Sequence, residues 1–397
     1  MWIERDFAHF VGGIPTLPVK VLKGPRQVGK TTFLERLGTH KPIYLDDAAV
    51  RIQASENPRL FLDANPGKLI LDEASLAPEL FHELKRRVDS QRRQRTTGSR
   101  DAAIDPEIDV WITGSNQTLL QRNVQESLSG RASYFDFNTL SAHELGERWH
   151  LEHFLFAGGW PELYASPHLR PVRYLNDLLS TFVERDIVAA AGIERRAAFT
   201  KCLQLTAARV GQLYVVSDVA VSCSVDASTI NSWLAILELN GIVRRVMPFS
   251  DNLNKRLIKS PKFYFEDVSL ATRLQGWTEL PQLLASGGIG NLVENVVVSE
   301  VSRFFLNRGE TPRLNFVRSK EKVEVDLLVH LPNQRCIAIE IKTTPQPFTA
   351  AQHRLLDSLE LNIVARWVVT PETQQQEEDP RVVSVRKLWD ELGRVAQ

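Results

Sequence analysis

The sequence predicts an α/β protein of more than one domain, and three observations predict it. Residues 18–36 read as a short apolar strand, a glycine-bearing loop and an amphipathic helix. Two further apolar strands, KLILDEAS at 68–75 and DVWITGSN at 109–116, end in acidic or small polar residues. Helix-length stretches separate them, the order of a parallel sheet with ligands at its carboxyl edge. Near the end, KVEVDLLVHL at 322–331 and RCIAIEIKTT at 335–344 flank the turn PNQ as the two strands of a hairpin.

A chain of 397 residues exceeds one ordinary core, because domains usually run to about 100–200 residues. With 43% hydrophobic and 24% charged residues, the composition is that of a folded globular protein. Lys plus Arg and Asp plus Glu balance at 48 each, so any contact with nucleic acid must come from a local patch. Cys202, Cys223 and Cys336 are few and widely spaced, against a disulfide framework or a CxxC zinc site and in favour of a reducing, cytoplasmic setting. The start, MWIERDFAHF, carries Glu4 and Asp6, and no apolar run of about 18 residues occurs, so neither secretion nor membrane spanning is expected.

The loop GPRQVGKTT comprises Gly24, Pro25, Arg26, Gln27, Val28, Gly29, Lys30, Thr31 and Thr32 and matches GxxxxGK[ST] between a strand and a helix. Its backbone amides are expected to wrap the phosphates of ATP, with glycine where a Cβ would block the approach. Lys30 is expected on the β- and γ-phosphates and the Thr31 hydroxyl on Mg²⁺. In the second strand, Asp72 would hold that magnesium through water and Glu73 would polarise the attacking water. Asn116 or Ser115, ending the third strand, is expected beside the γ-phosphate. Between Asp89 and Pro106 the arginine-rich SQRRQRTTGSRDAAID reads as a solvated surface loop.

These motifs, with SLSGR at 127–131, FLFAGGWPEL at 154–163, FVERDI at 182–187 and KRLIKSPKFYFEDVSL at 255–270, resemble the prokaryotic AAA+-type ATPases of the DUF4143 class. The resemblance covers nearly the whole chain. It departs at 89–106 and at Ala74-Ser75, where that family more often has Ile-Gln. It implies that Arg131 contacts phosphate, in its own site or a neighbour's in a homo-oligomer, with a plain salt bridge as the alternative. Arg185 and Asp186 look structural.

Residues 213–246 read as a winged helix, with Ser217 and Asp226 as helix caps and an apolar stripe at Ile230, Trp233, Leu234 and Leu237. Gly241 ends the second helix, and Arg244 and Arg245 follow on a strand. Lys255, Arg256, Lys259 and Lys262 make the region locally basic, which suits DNA. Against DNA, the exposed face of the second helix offers Ser228, Thr229, Asn231, Ser232 and Glu238, none of which is basic. Packing or protein contact is the other reading.

In the tail, Ile337, Ile339 and Ile341 share one strand face while Glu340 and Lys342 share the other, and the hairpin brings Asp326 opposite Glu340. Facing carboxylates repel unless a cation or proton intervenes. This D…ExK pattern resembles the PD-(D/E)xK nuclease fold, with Glu294 on a preceding helix as an extra acid and Gln352 opening a following one. The resemblance implies a divalent metal on Glu294, Asp326 and Glu340 with Lys342 beside it. The alternative is a metal-free surface neutralised by Lys342, Lys322 or Arg318.

The resulting expectation is an α/β chain divided into an AAA+-like P-loop NTPase domain (1–140), a helical lid (141–205), a winged-helix-like domain (206–254) and a PD-(D/E)xK-like α/β domain (255–397). Two functions fit it. One couples Mg-ATP hydrolysis to a tail that binds or cuts nucleic acid, and the other is a nucleotide-controlled switch that docks a protein partner with a silent tail.

Overall fold

The computed structural model describes residues 2–97, 108–181, 187–249, 260–372 and 381–396. Its first sheet has five strands, β1 (Val19–Lys23), β2 (Lys41–Tyr44), β3 (Lys68–Asp72), β4 (Asp109–Thr113) and β5 (Ala132–Asp136), in the order β2-β3-β4-β1-β5. All the pairings are parallel. Val19, Val21, Leu69, Leu71, Val110 and Ile112 fill one face, and Leu22, Ile70, Trp111 and Phe135 the other, the period of two that apolar strands impose. Because β4 lies between β1 and β3, the carboxyl ends of these three strands converge on one edge, and the phosphate loop leaves β1 there. This mixed α/β architecture is that of a P-loop NTPase sheet, followed by a helical middle and a second α/β unit.

The arginine-rich segment departs from expectation. Residues 89–97 are not loop but the end of a helix, Glu79–Thr97. Arg and Gln are good helix formers, and Gln91 is buried on the packed side, so polarity alone gave no reason for the chain to leave the helix. The remainder of that segment, 98–107, lies outside the described residues, as do Arg185, Asp186, Lys255, Arg256 and Lys259.

Helices Leu151–Ala157, Pro161–Ala165, Pro171–Leu178 and Arg196–Ala208 make up the first part of the middle. Helices Val216–Cys223 and Ala227–Leu239 come next, then β6 (Val243–Pro248) and β7 (Lys262–Phe265), which pair antiparallel. Ile230, Trp233, Leu234 and Leu237 are all buried. Ser217 is not a cap: its helix starts one residue earlier, after Val215, and the Ser217 hydroxyl donates to Asp218 Oδ1 at 3.3 Å. Asp226 holds the cap position of the next helix without a side-chain hydrogen bond to it.

The tail adds β8 (Leu314–Arg318), β9 (Glu324–His330), β10 (Arg335–Ile341), β11 (Asn362–Thr370) and β12 (Val382–Ser384). They form one mixed sheet with β6 and β7, in the order β12-β11-β10-β9-β8-β6-β7. Met247 pairs with Asn315 and Pro248 with Phe316, so the sheet runs across the boundary expected at 254.

Helix Ile289–Asn307 joins the two sheets. It is buried on nearly every side from Leu292 to Asn307 and touches β5 of the first sheet and β7 and β10 of the second. A helix apolar all round belongs inside a core. Among its polar exceptions, Asn295 exchanges two hydrogen bonds with the Phe265 backbone, at 2.6 and 2.8 Å, and Glu300 accepts from the Ala142 amide at 2.8 Å. Fully buried Arg303 reaches Glu300 at 2.5 Å, Thr139 Oγ1 at 2.8 Å and the Glu266 carbonyl at 2.6 Å. One apolar core therefore continues from Phe7 to Leu392. Among the described residues no helix is long and apolar enough to cross a membrane.

The segment GGW is a clamp in this core. Asp267 accepts from the Gly159 amide at 2.9 Å, from Thr139 Oγ1 at 2.7 Å and from the Ser269 hydroxyl at 2.5 Å, while Trp160 Nε1 donates to Ser269 Oγ at 3.2 Å. A Cβ on Gly158, whose φ is +62°, would lie 1.9 Å from Asp267 Oδ1, so only glycine fits.

Candidate functional site

The loop between β1 and helix Lys30–Arg36 is shaped by two glycines. At Gly24 a Cβ would stand 1.9 Å from the Phe137 carbonyl oxygen, and Gly29 has φ +86°. The Lys30 ammonium folds back onto the loop, donating to the Gly24 and Pro25 carbonyls at 2.9 and 2.7 Å. Burial pushes it down to about 8, against the attraction of Glu73 and Asp72. Gln117 fixes the loop from below through its Nε2, which donates to Gly24 O at 2.9 Å and Gly114 O at 2.7 Å.

At the end of β3, Asp72 Oδ1 accepts from Thr31 Oγ1 at 2.7 Å and from Thr113 Oγ1. Thr31, in the first turn of helix Lys30–Arg36, and Asp72, at the end of β3, are thus in direct contact. Glu73 adopts a left-handed backbone, φ 52° and ψ 39°, rare for a residue with a Cβ. Its carboxylate is received by the Ser115 amide and hydroxyl at 3.0 Å, and Arg26 donates to Ser115 Oγ at 3.2 Å. Ser115 is therefore the residue of the ITGSN turn that meets the loop. Asn116 instead caps helix Gln117–Leu128, accepting from the Leu119 amide at 3.0 Å.

Beside Gln27, Val28, Gly29 and Thr32 opens a cleft of about 420 Å³, bounded by Trp2, Ile3, Leu140 and Pro161, with Glu162 at its polar side. Arg5 braces its floor, donating to the Val28 carbonyl at 3.0 Å and the Asn138 carbonyl at 2.6 Å. The middle of the chain roofs the loop: Tyr174 donates to Gln27 Oε1 at 2.7 Å, Asn240 to Thr118 Oγ1 at 3.3 Å, and the Gly241 turn lies against Pro25.

Arg131 stands apart from these groups. It is paired with both oxygens of Asp89, at 2.7 and 2.9 Å. Ala132 opposes Val19 and Asp136 opposes Lys23, so Arg131 sits at the amino end of the sheet and the loop at its carboxyl end. At about 3.3 Å per residue this is about 20 Å. Contact of Arg131 with its own chain's phosphates is excluded by that separation.

In the second unit, Asp326 lies next to the end of β10, where its Oδ2 accepts from the Ile341 amide at 2.8 Å. Lys342 pairs with Glu340 at 2.7 Å, while Glu340 Oε2 is buried with no hydrogen-bond partner. Glu294 is drawn elsewhere: Lys262 reaches it at 2.8 Å and the Tyr264 hydroxyl at 2.5 Å. Burial, with Glu294 and Glu340 nearby, raises Asp326 well above the usual carboxylate range. Arg318 pairs with Glu324, not with Asp326 or Glu340. Gln352 caps its own helix with Thr349 and donates to the Glu324 carbonyl at 2.9 Å. Among the described residues no group of three or more acids, histidines or cysteines is placed to hold a metal ion. Of the expected set of Glu294, Asp326 and Glu340, Glu294 is engaged by Lys262 and Tyr264. Basic Arg244 and Arg245 are paired with Glu266 at 2.6 Å and Glu238 at 2.7 Å.

Trp2, Ile3, Arg5 and Gln117 have no site role legible in the sequence, and Lys262 and Tyr264 lie in the quoted stretch 255–270 without a link to Glu294; the fold brings them to these sites. Thr113 carries a signal as the last residue of a strand beside β3.

Residues 17–146 match an AAA domain, 148–280 a domain of unknown function (DUF8612) and 289–388 a domain of unknown function (DUF4143). Uncharacterized proteins of Mycobacterium bovis and Mycobacterium tuberculosis are each 29% identical over 352 residues, 87% of this chain and 76% of theirs. Among solved structures, the ORC2 protein of Aeropyrum pernix in its ADPNP-ADP complexes is 12% identical, with a TM-score of 0.32, over 68% of this chain and 91% of that one. Its ADP form is 11% identical with a TM-score of 0.25, covering 57% and 80% respectively.

Proposed function

We propose, from a chain that carries an AAA domain ahead of a DUF4143 domain, that it binds Mg-ATP at residues 24–32, hydrolyses it, and uses its nucleotide state to control docking of a protein partner. The observation that carries this reading is the contact of Thr31 with Asp72, with Glu73 beside them, at the loop formed by Gly24 and Gly29. Lys30 exchanges the Gly24 and Pro25 carbonyls for the terminal phosphates, and the loop amides take the remaining oxygens. Thr31 directly, and Asp72 through water, would hold Mg²⁺, whose charge offsets that of the phosphates; their geometry fits it. Glu73 orients and deprotonates the attacking water once Ser115 releases one of its oxygens. The cleft of Trp2, Ile3, Leu140 and Pro161 receives the nucleobase.

The roof supports the switch. Tyr174 and Gly241 touch the loop itself, so rearrangement of Gln27 or Pro25 on phosphate binding is felt by the helical middle. A protein partner is favoured over nucleic acid because Arg244 and Arg245 are spent on Glu266 and Glu238. The three cysteines are buried and free, in keeping with a reducing, cytoplasmic setting.

Two variants test the ATPase reading. Lys30→Ala loses tight ATP binding, by about a hundredfold or more, since a buried charge-assisted contact is removed. Glu73→Gln keeps ATP affinity and loses turnover, because the base goes while the magnesium contact stays. Calorimetric titration and phosphate release read the two; normal hydrolysis by Glu73→Gln removes that role from Glu73. Retention or cleavage of plasmid or oligonucleotides with Mg²⁺ or Mn²⁺, with and without ATP, would move the partner from protein to nucleic acid.

A further inference from the structure

Glu294 on helix Ile289–Asn307, Asp326 and Glu324 on β9 and Glu340 on β10 are near enough to repel: Glu294 and Glu340 act on Asp326, and Glu324 acts on Glu294. Such a cluster repels itself unless protons or a positive charge offset it. That charge comes from β7. Lys262 is 2% exposed and its ammonium stands between Glu294 at 2.8 Å and Glu324 at 2.6 Å. Strand pairing holds it there from two sides, since Lys262 pairs with Val246 of β6 and forms an isolated bridge with Leu213. The cluster is closed behind Glu294 as well. A Cβ on Gly211 would lie 3.1 Å from Glu294 Oε2, and the Gly211 amide donates to the Phe263 carbonyl at 3.3 Å.

We infer that Lys262 is the resident cation of this cluster, standing where a divalent metal would otherwise be required, and that loss of its ammonium opens a divalent-cation site on Glu294, Asp326 and Glu340. A second observation shows where such an ion would gain its contact. Glu340 Oε2 is buried and unpartnered, although Glu340 is only 3% exposed and its other oxygen is paired with Lys342. A carboxylate oxygen in that position has capacity for a cation, and no hydrogen bond from the described residues fills it. While Lys262 remains, Glu294 is turned towards it and towards Tyr264, and the three acids do not converge. Metal-dependent cleavage by the tail is therefore absent from the unaltered protein. This inference concerns the second sheet alone and stands or falls separately from the ATPase reading.

The test is Mn²⁺ titration of the full-length chain without nucleotide, by calorimetry and electron paramagnetic resonance. The unaltered chain shows no Mn²⁺ binding that Asp326→Asn removes. Lys262→Gln gains saturable binding, on the order of tenfold or more tighter, and loses it again in combination with Asp326→Asn. Lys262→Arg, which keeps the charge, stays silent. Thermal melts give a second reading: Lys262→Gln melts lower than the unaltered chain in a chelator and recovers with Mn²⁺. Binding by the unaltered chain that disappears in Asp326→Asn, or metal-dependent nicking of plasmid by it, overturns the inference. So does a folded Lys262→Gln that ignores Mn²⁺. If Lys262→Gln does not fold, the unaltered chain with and without Asp326→Asn still decides.

Discussion

At the scale of single residues, Lys30 carries the sharpest pH consequence. Burial holds its ammonium at about 8 before nucleotide arrives, and the added phosphates raise it again. The protonated form is the one that binds. Affinity is therefore flat below pH 8, and above it falls by up to about tenfold per pH unit, because each binding event must first recover a proton. ATP titrations of Glu73→Gln from pH 7 upwards check this, and Lys30→Arg, whose guanidinium does not titrate in that range, should bind more weakly but without the slope. A flat profile for Lys30 itself would mean that the burial is relieved in solution. Lys30, Thr31 and Asp72 were legible in the sequence because their spacing is the chemistry. Glu73 was legible as an acid after a strand, but its left-handed backbone was not, since that conformation is imposed by the Ser115 amide and hydroxyl. Lys262 was read only as part of a basic run. Its partners Glu294 and Glu324 are far along the chain, and no local pattern links them.

At the scale of elements, strands were easier to read than loops and caps. Three of the five strands of the first sheet are apolar and end in polar residues, so both their extent and their common edge followed from the pattern. The helix Glu79–Thr97 overran its expected end because its arginines and glutamines form helix while looking like loop. Glycines separate by environment in a way that can be measured. Gly158→Ala drives a Cβ into Asp267, the acceptor that joins Thr139, Gly159 and Ser269, and should cost about 3 kcal/mol or more. Gly130→Ala, also at positive φ but with nothing within 4 Å, should cost about 1 kcal/mol. Denaturant melts of the two variants give the comparison. Equal losses would mean that the GGW clamp is looser than the hydrogen bonds at Asp267 indicate.

At the scale of the whole molecule, the sheet that crosses residue 254 was not legible, because the pairing of Met247 with Asn315 joins distant segments through backbone alone. Nor was the helix Ile289–Asn307 legible as a shared axle, although Glu294 was placed on a helix. If Arg131 acts on phosphate, it acts on a neighbour's, since Asp89 holds it at the far end of its own sheet. ATP should then promote oligomers, and turnover per subunit should rise with protein concentration; a chain that stays monomeric by light scattering, with a constant rate, rules this out. On that reading, the opposite placement of Arg131 and Lys30 on one sheet divides each site between two chains. Lys30→Ala spoils the site a chain holds, Arg131→Ala spoils the site it serves, and neither lesion lies in the other's half. Two inactive proteins, mixed in one tube, should complement each other and turn over ATP, as two defective copies of a gene can restore one working assembly.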